Sequence, residues 1–118
     1  MLQSRIQRAE EHDDSATFTK LLHMRYMSCN ALQSLLDRNA AAGNIAITDV
    51  LVDMMDDRGC PPNLNSAAIH AVENGKTGEV LVLLAKGANN YENLIHIAEM
   101  RGYHDMAHYI STKADQMM

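Results

Sequence analysis

An all-α fold of stacked antiparallel helical hairpins is what this sequence predicts, on three observations. Apolar residues recur at spacings of three and four, the helical period. Met, Ala and Leu are abundant, with nine Met, while aromatic residues reach only 4% and Val, Ile and Thr are scattered rather than alternating. Turn residues then cut the chain into about eight pieces of ordinary helical length.

Taken in order, residues 2–27 form a weaker first pair, whose second half carries Leu21, Leu22 and Met24 to Tyr26. Leu32, Leu35 and Leu36 face one way in the third piece, and Val50, Leu51, Met54 and Met55 in the fourth. Val80, Leu81 and Leu84 do so in the sixth. Met54, Met55 and Met106 stand at core spacing, whereas Met117 and Met118 end a polar tail that is expected to fray. Asp14, Asn63 or Asn65, and Asn90 stand where helix N-caps belong, and Gly59 and Gly87 where helices end in the left-handed conformation.

The breaks alternate in character. Short glycine turns at Gly43, Gly75 and Gly102 join helices into pairs; Gly-plus-Asn or Gly-plus-Pro loops around Gly59 and Gly87 separate one pair from the next. A pair cannot bury its apolar side alone, so pairs stack. This gives one domain over residues 1–118 with pairs at roughly 2–27, 29–58, 63–87 and 90–116.

Composition sets the outer limits. With 118 residues there is room for one domain with a real core. A net charge of −5 argues against general nucleic-acid binding, which needs clustered positive charge. The longest apolar run, Val80 to Ala85, is far short of a membrane span, and no signal-peptide stretch opens the chain. A cytoplasmic chain is expected, with Cys29 and Cys60 as free thiols by default under reducing conditions, and a disulfide as the alternative if the two meet in space.

The stretch NLIHIAEMRGYHDMAHYIS, Asn93 to Ser111, resembles an ankyrin repeat of the form T-P-L-H-x-A-A-x-x-G-H-x-x-V-V-x-x-L. Ile95 and His96 take the Leu-His positions, Ala98 the small Ala, Gly102 the turn glycine, and Met106 and Ala107 the paired Val. Tyr109 and Ile110 fall on the apolar end of the outer helix. AAIHAVENGKTGEVLVLLAKGANN is similar, with its spacing off by one residue on either side of Gly75, and residues 40–59 echo the pattern more faintly. The resemblance implies a structural histidine at His96, and less directly at His70. Those two histidines are 26 residues apart, against about 33 in regular repeats. The shortfall lies after Gly87, where the family carries its β-hairpin finger. An ankyrin-like solenoid of about four pairs with truncated fingers is therefore expected.

Chemistry is sparse. His104 and His108, four apart with Asp105 between, superficially resemble the zinc-protease helix H-E-x-x-H, but a metal-dependent hydrolase would need a third ligand and a longer carboxylate base. No phosphate-binding glycine loop or nucleophile signature occurs. The acidic pair Asp13-Asp14 suits a helix start; Asp56-Asp57 sits at a helix end, where the dipole disfavours it, and could contact a basic partner.

The resemblance implies a non-enzymatic module, without cofactor, that binds another protein and occludes, bridges or neutralises it as an inhibitor, immunity-type protein or adaptor. A basic partner would suit the charge. Tyr91, Ile97, Met100, Arg101 and Tyr103 are the candidate contact residues, since Tyr, Met and Arg are enriched in interface cores. The chain is expected as a monomer or homodimer; a helical self-assembly unit and the His104/His108 hydrolase are the rival readings.

Overall fold

The computed structural model describes residues 2–23 and 26–116. Met24, Met117 and Met118, to which the sequence assigned a core and a fraying role, lie outside the described residues. Within them the chain is all-helical, with no strand. The helices are α1 (Leu2–Glu11), α2 (Ser15–His23), α3 (Cys29–Ala42), α4 (Ile45–Asp57), α5 (Leu64–Glu73), α6 (Thr77–Lys86), α7 (Tyr91–Met100) and α8 (His104–Gln116).

One device ends six of these helices. A residue in the left-handed conformation follows the last turn, and two N–H groups fold back onto carbonyls that the helix leaves unpaired. After α1, Asp13 N–H reaches Glu10 O at 3.2 Å and Asp14 N–H reaches Ala9 O at 2.8 Å. The same two bonds recur at Gly43-Asn44, Gly59-Cys60, Gly75-Lys76, Gly87-Ala88 and Gly102-Tyr103. All five glycines have positive φ, and among the described residues Asp13 at φ 48 is the one non-glycine that does.

Each of these reversals at Asp13, Gly43, Gly75 and Gly102 lays the next helix back on the one before, pairing α1 with α2, α3 with α4, α5 with α6 and α7 with α8. Between pairs, α3 packs on α5 and α5 on α7, while α2 packs on α4 and α4 on α6. Two layers result, in a body of 43 × 27 × 20 Å. Phe18, Leu22, Leu36, Leu51, Leu83 and Ile110, all fully buried, fill the space between the layers along its length. Met54, Met55 and Met106 are buried, as their spacing predicts.

The pair-forming turns also lean on one another. The residue after each left-handed position reaches back to the preceding turn: Asn44 Nδ2 donates to Glu10 O at 2.8 Å. The Lys76 stem lies over Gly43, its Cδ 3.0 Å from where a Cβ there would stand, and the Tyr103 ring lies over Gly75 with Cζ at 3.3 Å. Side-chain amides hold the loops between pairs. Gln33 on α3 accepts from Asn63 N–H at 2.8 Å and donates to Asn63 O at 3.2 Å. Asn65 on α5 accepts from Asn89 N–H at 2.9 Å and donates to Asn89 Oδ1 at 3.1 Å.

Several expectations need correcting. Cys29 and Cys60 are not free thiols: they form a disulfide, with Cα atoms 5.3 Å apart. The cause is the hairpin itself. Helices α3 and α4 have 14 and 13 residues and run antiparallel, so the chain returns to its starting end, and the turn at Gly59 brings Cys60 beside Cys29. Asp14 and Asn63 do cap helices, accepting from Thr17 N–H at 3.1 Å and Ser66 N–H at 3.0 Å. Asn90 stands at the N-cap position of α7 but makes no side-chain cap bond; its amide turns back to Asn65 O at 3.3 Å. Tyr109, expected on the apolar end of α8, is 53% exposed.

Candidate functional site

The five candidate contact residues lie along α7 and the turn that follows it, and their surroundings differ. Leu94 and Ala98 face the interior, so α7 turns its far side outward. Tyr91, Ile97 and Tyr103 are half-buried and pack against the core, Tyr103 through its contact with Gly75. Arg101 is exposed and lies 3.8 Å from Glu73 on α5. Met100 is 74% exposed, a large apolar side chain left in water at the end of α7. Met100 and Arg101 follow Ile97 by three and four positions, which brings both beside it at the helix end.

A polar strip runs across α3 and α5. Asp37 accepts from Ser66 Oγ at 3.1 and 3.2 Å and from Gln33 Nε2 at 3.0 Å. His70 Nδ1 lies 2.9 Å from Ser66 O and 3.9 Å from Asp37 Oδ1. Serine, aspartate and histidine thus meet, but the serine hydroxyl bonds to the carboxylate and the histidine to a backbone carbonyl. That order keeps the imidazole off the hydroxyl, so the serine–histidine contact of a nucleophilic triad is not formed and the trio ties α3 to α5. Of the two histidines at the repeat-like positions, His70 is the one with side-chain partners. His96 is exposed with no hydrogen bond among the described residues, because it lies two positions, about 200° around the helix, from both Leu94 and Ala98.

Charged groups divide into those with structural partners and those without. Glu10 accepts from Arg38 at 2.6 and 2.9 Å and from Asn39 at 2.9 Å, binding α1 to α3. Lys86 on α6 pairs with Asp49 on α4. Asp13 accepts from Ile47 N–H at 2.9 Å and Ala46 N–H at 3.1 Å, so the first turn caps α4. Asp14, bonded by the Thr17 side chain and backbone, is held below the usual carboxylate range. Glu79 on α6 is 1% exposed, and neither of its oxygens has a hydrogen-bond partner among the described residues. Burial pushes its carboxyl up to about 7; the neighbouring Thr48 hydroxyl opposes the rise, Asp13 adds to it and Lys86 opposes it.

His104 and His108 are both exposed on α8, and among the described residues no group of three His, Cys, Asp or Glu is placed to hold a metal ion. A groove of about 330 Å³ opens between α2 and α4, lined by Thr19, His23, Val50, Asp53, Met54, Asp57 and Arg58. Sequence reasoning reached only Asp57 of its charged residues. The signal for the rest was the repeated one-turn spacing of Thr19 with His23 and of Asp53 with Asp57.

Compared with family models, with curated proteins and with solved structures, the chain finds no match. No helix among the described residues is long and apolar enough to cross a membrane.

Proposed function

We propose that the chain is a non-enzymatic protein-binding module built as an ankyrin-like stack of four helical pairs. The observation that carries this reading is the one-way succession of packing, α3 on α5 on α7 and α2 on α4 on α6, with each turn leaning on the one before. Such a stack presents a continuous side of consecutive helices, and repeat proteins bind through surfaces of that kind. The polar groups at its seams are largely consumed by ties between pairs, which favours a rigid surface over turnover. A partner of opposite charge suits the net charge of −5, and occluding or bridging that partner is what a stack with exposed helix faces can do.

The contact patch is Ile97, Met100 and Arg101, flanked by Tyr91 and Tyr103. Met100 is its best probe, because so exposed a side chain can be changed without opening the core. Bait carrying Met100→Glu and Arg101→Ala, matched to the parent by circular dichroism, is expected to lose a specific partner recovered from the native cell. Equal recovery by both baits removes this patch.

The cytoplasmic placement expected from the sequence meets the Cys29–Cys60 bond, which reducing compartments oppose. An oxidising compartment suits the bonded form. Alkylation of thiols in freshly lysed native cells measures which form is present.

A further inference from the structure

We propose that the groove between α2 and α4 receives a lysine or arginine side chain from a basic protein partner. The proposal rests on the protein-binding reading above and adds a second contact area, on the other layer of the molecule from Met100.

The groove has the right two-part chemistry. Val50 is half-buried and Met54 buried, so together they supply an apolar floor one helical turn long. Asp53 and Asp57, four apart on α4, put two exposed carboxylates along one wall. Thr19 and His23, four apart on α2, make the opposite wall. An aliphatic stem ending in a cation fits such a surface, with methylenes on the floor and the charged head at the rim. A guanidinium can engage two carboxylate groups through its fixed fork of N–H donors.

Charge placement points the same way. Several nearby carboxylates have structural partners: Asp49 pairs with Lys86, Asp13 caps α4, and Glu10 holds Arg38, while Asp56, exposed on α4, is not part of the groove lining. Among the described residues Asp53 and Asp57 form no ion pair. Asp57 also stands in the last turn of α4, which holds no basic residue, so it opposes the helix dipole with no local compensation. Among the described lining residues these two carboxylates outweigh Arg58 at the groove's end, with His23 on the facing wall. An anionic ligand would meet that excess as repulsion, and a metal ion lacks a third ligand among the described residues. The far lip is also fixed in place, since the turn after Arg58 leads straight into the Cys29–Cys60 bond. A preformed groove loses less on binding than a mobile one.

The test titrates the isotope-labelled chain with a tri-arginine peptide and, separately, with a tri-glutamate peptide, reading backbone amide shifts at constant ionic strength. The expected result is saturable shifts confined to residues 19–23 and 50–58 with tri-arginine and none with tri-glutamate. Asp53→Asn with Asp57→Asn should weaken tri-arginine binding about tenfold or more, since two charge-assisted contacts are lost. Glu11→Gln, outside the groove, should leave it unchanged. Shifts spread over every exposed carboxylate, binding unaltered in the double variant, or no binding at all would each overturn the proposal. The two readings fail separately. A cellular partner lost by the Met100/Arg101 variant but kept by the Asp53/Asp57 variant retains the module and removes the groove.

Discussion

Asp13 closes the N-terminus of a helix that belongs to the next pair: its two carboxylate oxygens accept the N–H groups of Ile47 and Ala46 at the start of α4. The same residue adopts φ 48, a conformation that glycine fills at the equivalent turns. Replacing Asp13 by Ala should cost about 1–2 kcal/mol, the range for loss of a helix cap. Asp13→Gly should cost less than Asp13→Ala, because it relieves the backbone while still losing the cap. Urea unfolding of the parent and the two variants checks the order, and Gly at or above the parent would show that strain outweighs the cap.

Tyr103 and Gly75 give a second measurable coupling. Alanine at Gly75 meets both a left-handed backbone and the tyrosine ring, whereas alanine at Gly59 or Gly102 meets open space. Each of the latter should cost about 1–2 kcal/mol for backbone conformation alone. Gly75→Ala should cost more, and the excess should vanish in a Tyr103→Ala background, as a double-mutant cycle by urea unfolding would read.

Glu79 sets the pH dependence. Its folded value of about 7 lies above the ordinary 4.5, so between those values the native state holds a proton that the unfolded chain releases. Its contribution is therefore full below about pH 4.5 and is lost as pH rises towards 7, a swing of about 3 kcal/mol. Glu79→Gln should remove that fall, seen as a flatter difference between variant and parent stability from pH 5 to 8. Glu79 stands four residues after its turn glycine, as Ile47 and Met106 do after theirs, and both of those are buried apolar residues. Glu79→Met should accordingly raise the melting temperature at pH 8.

Reduction of Cys29–Cys60 should destabilise the chain by about 3–4 kcal/mol, the loop-entropy value for a closure of this length. Cys29→Ser with Cys60→Ser should reproduce the loss, and added reductant should then have no further effect on its melting temperature. A parent insensitive to reductant would show that packing alone holds the α3–α4 pair.

The helical architecture was legible because it is written locally. Spacings of three and four marked the buried faces of α4 and α6, and the glycines at 43, 75 and 102 fell on the turns that carry them. What was not legible depends on which pair lies beside which. The disulfide follows from two helices of nearly equal length returning to one end, which a sequence separation of 31 does not reveal. Asp13 reads as a partner of the helix beside it; its use at α4 appears only once the first two pairs touch. His70 and His96 look alike in sequence, yet only His70 has a neighbour, Asp37, contributed from another helix. Glu79 falls at an apolar register position, so its polarity there is a conflict that periodicity alone would have smoothed over. The groove required two outer helices to meet, though its paired one-turn spacings were present in each.

The amide ties Gln33–Asn63 and Asn65–Asn89 have a mechanical consequence. Each fastens a connecting loop to the helix of the pair before it, so the α5–α6 and α7–α8 units are each held at their entry loop by the preceding pair. Tension applied to the far end of α8 should therefore peel the molecule in strict order, the α7–α8 unit detaching first and the disulfide-closed unit resisting extension until late. A sawtooth trace of that sequence, shortened where the covalent loop withholds its contour length, is the signature of a body assembled by backward handholds.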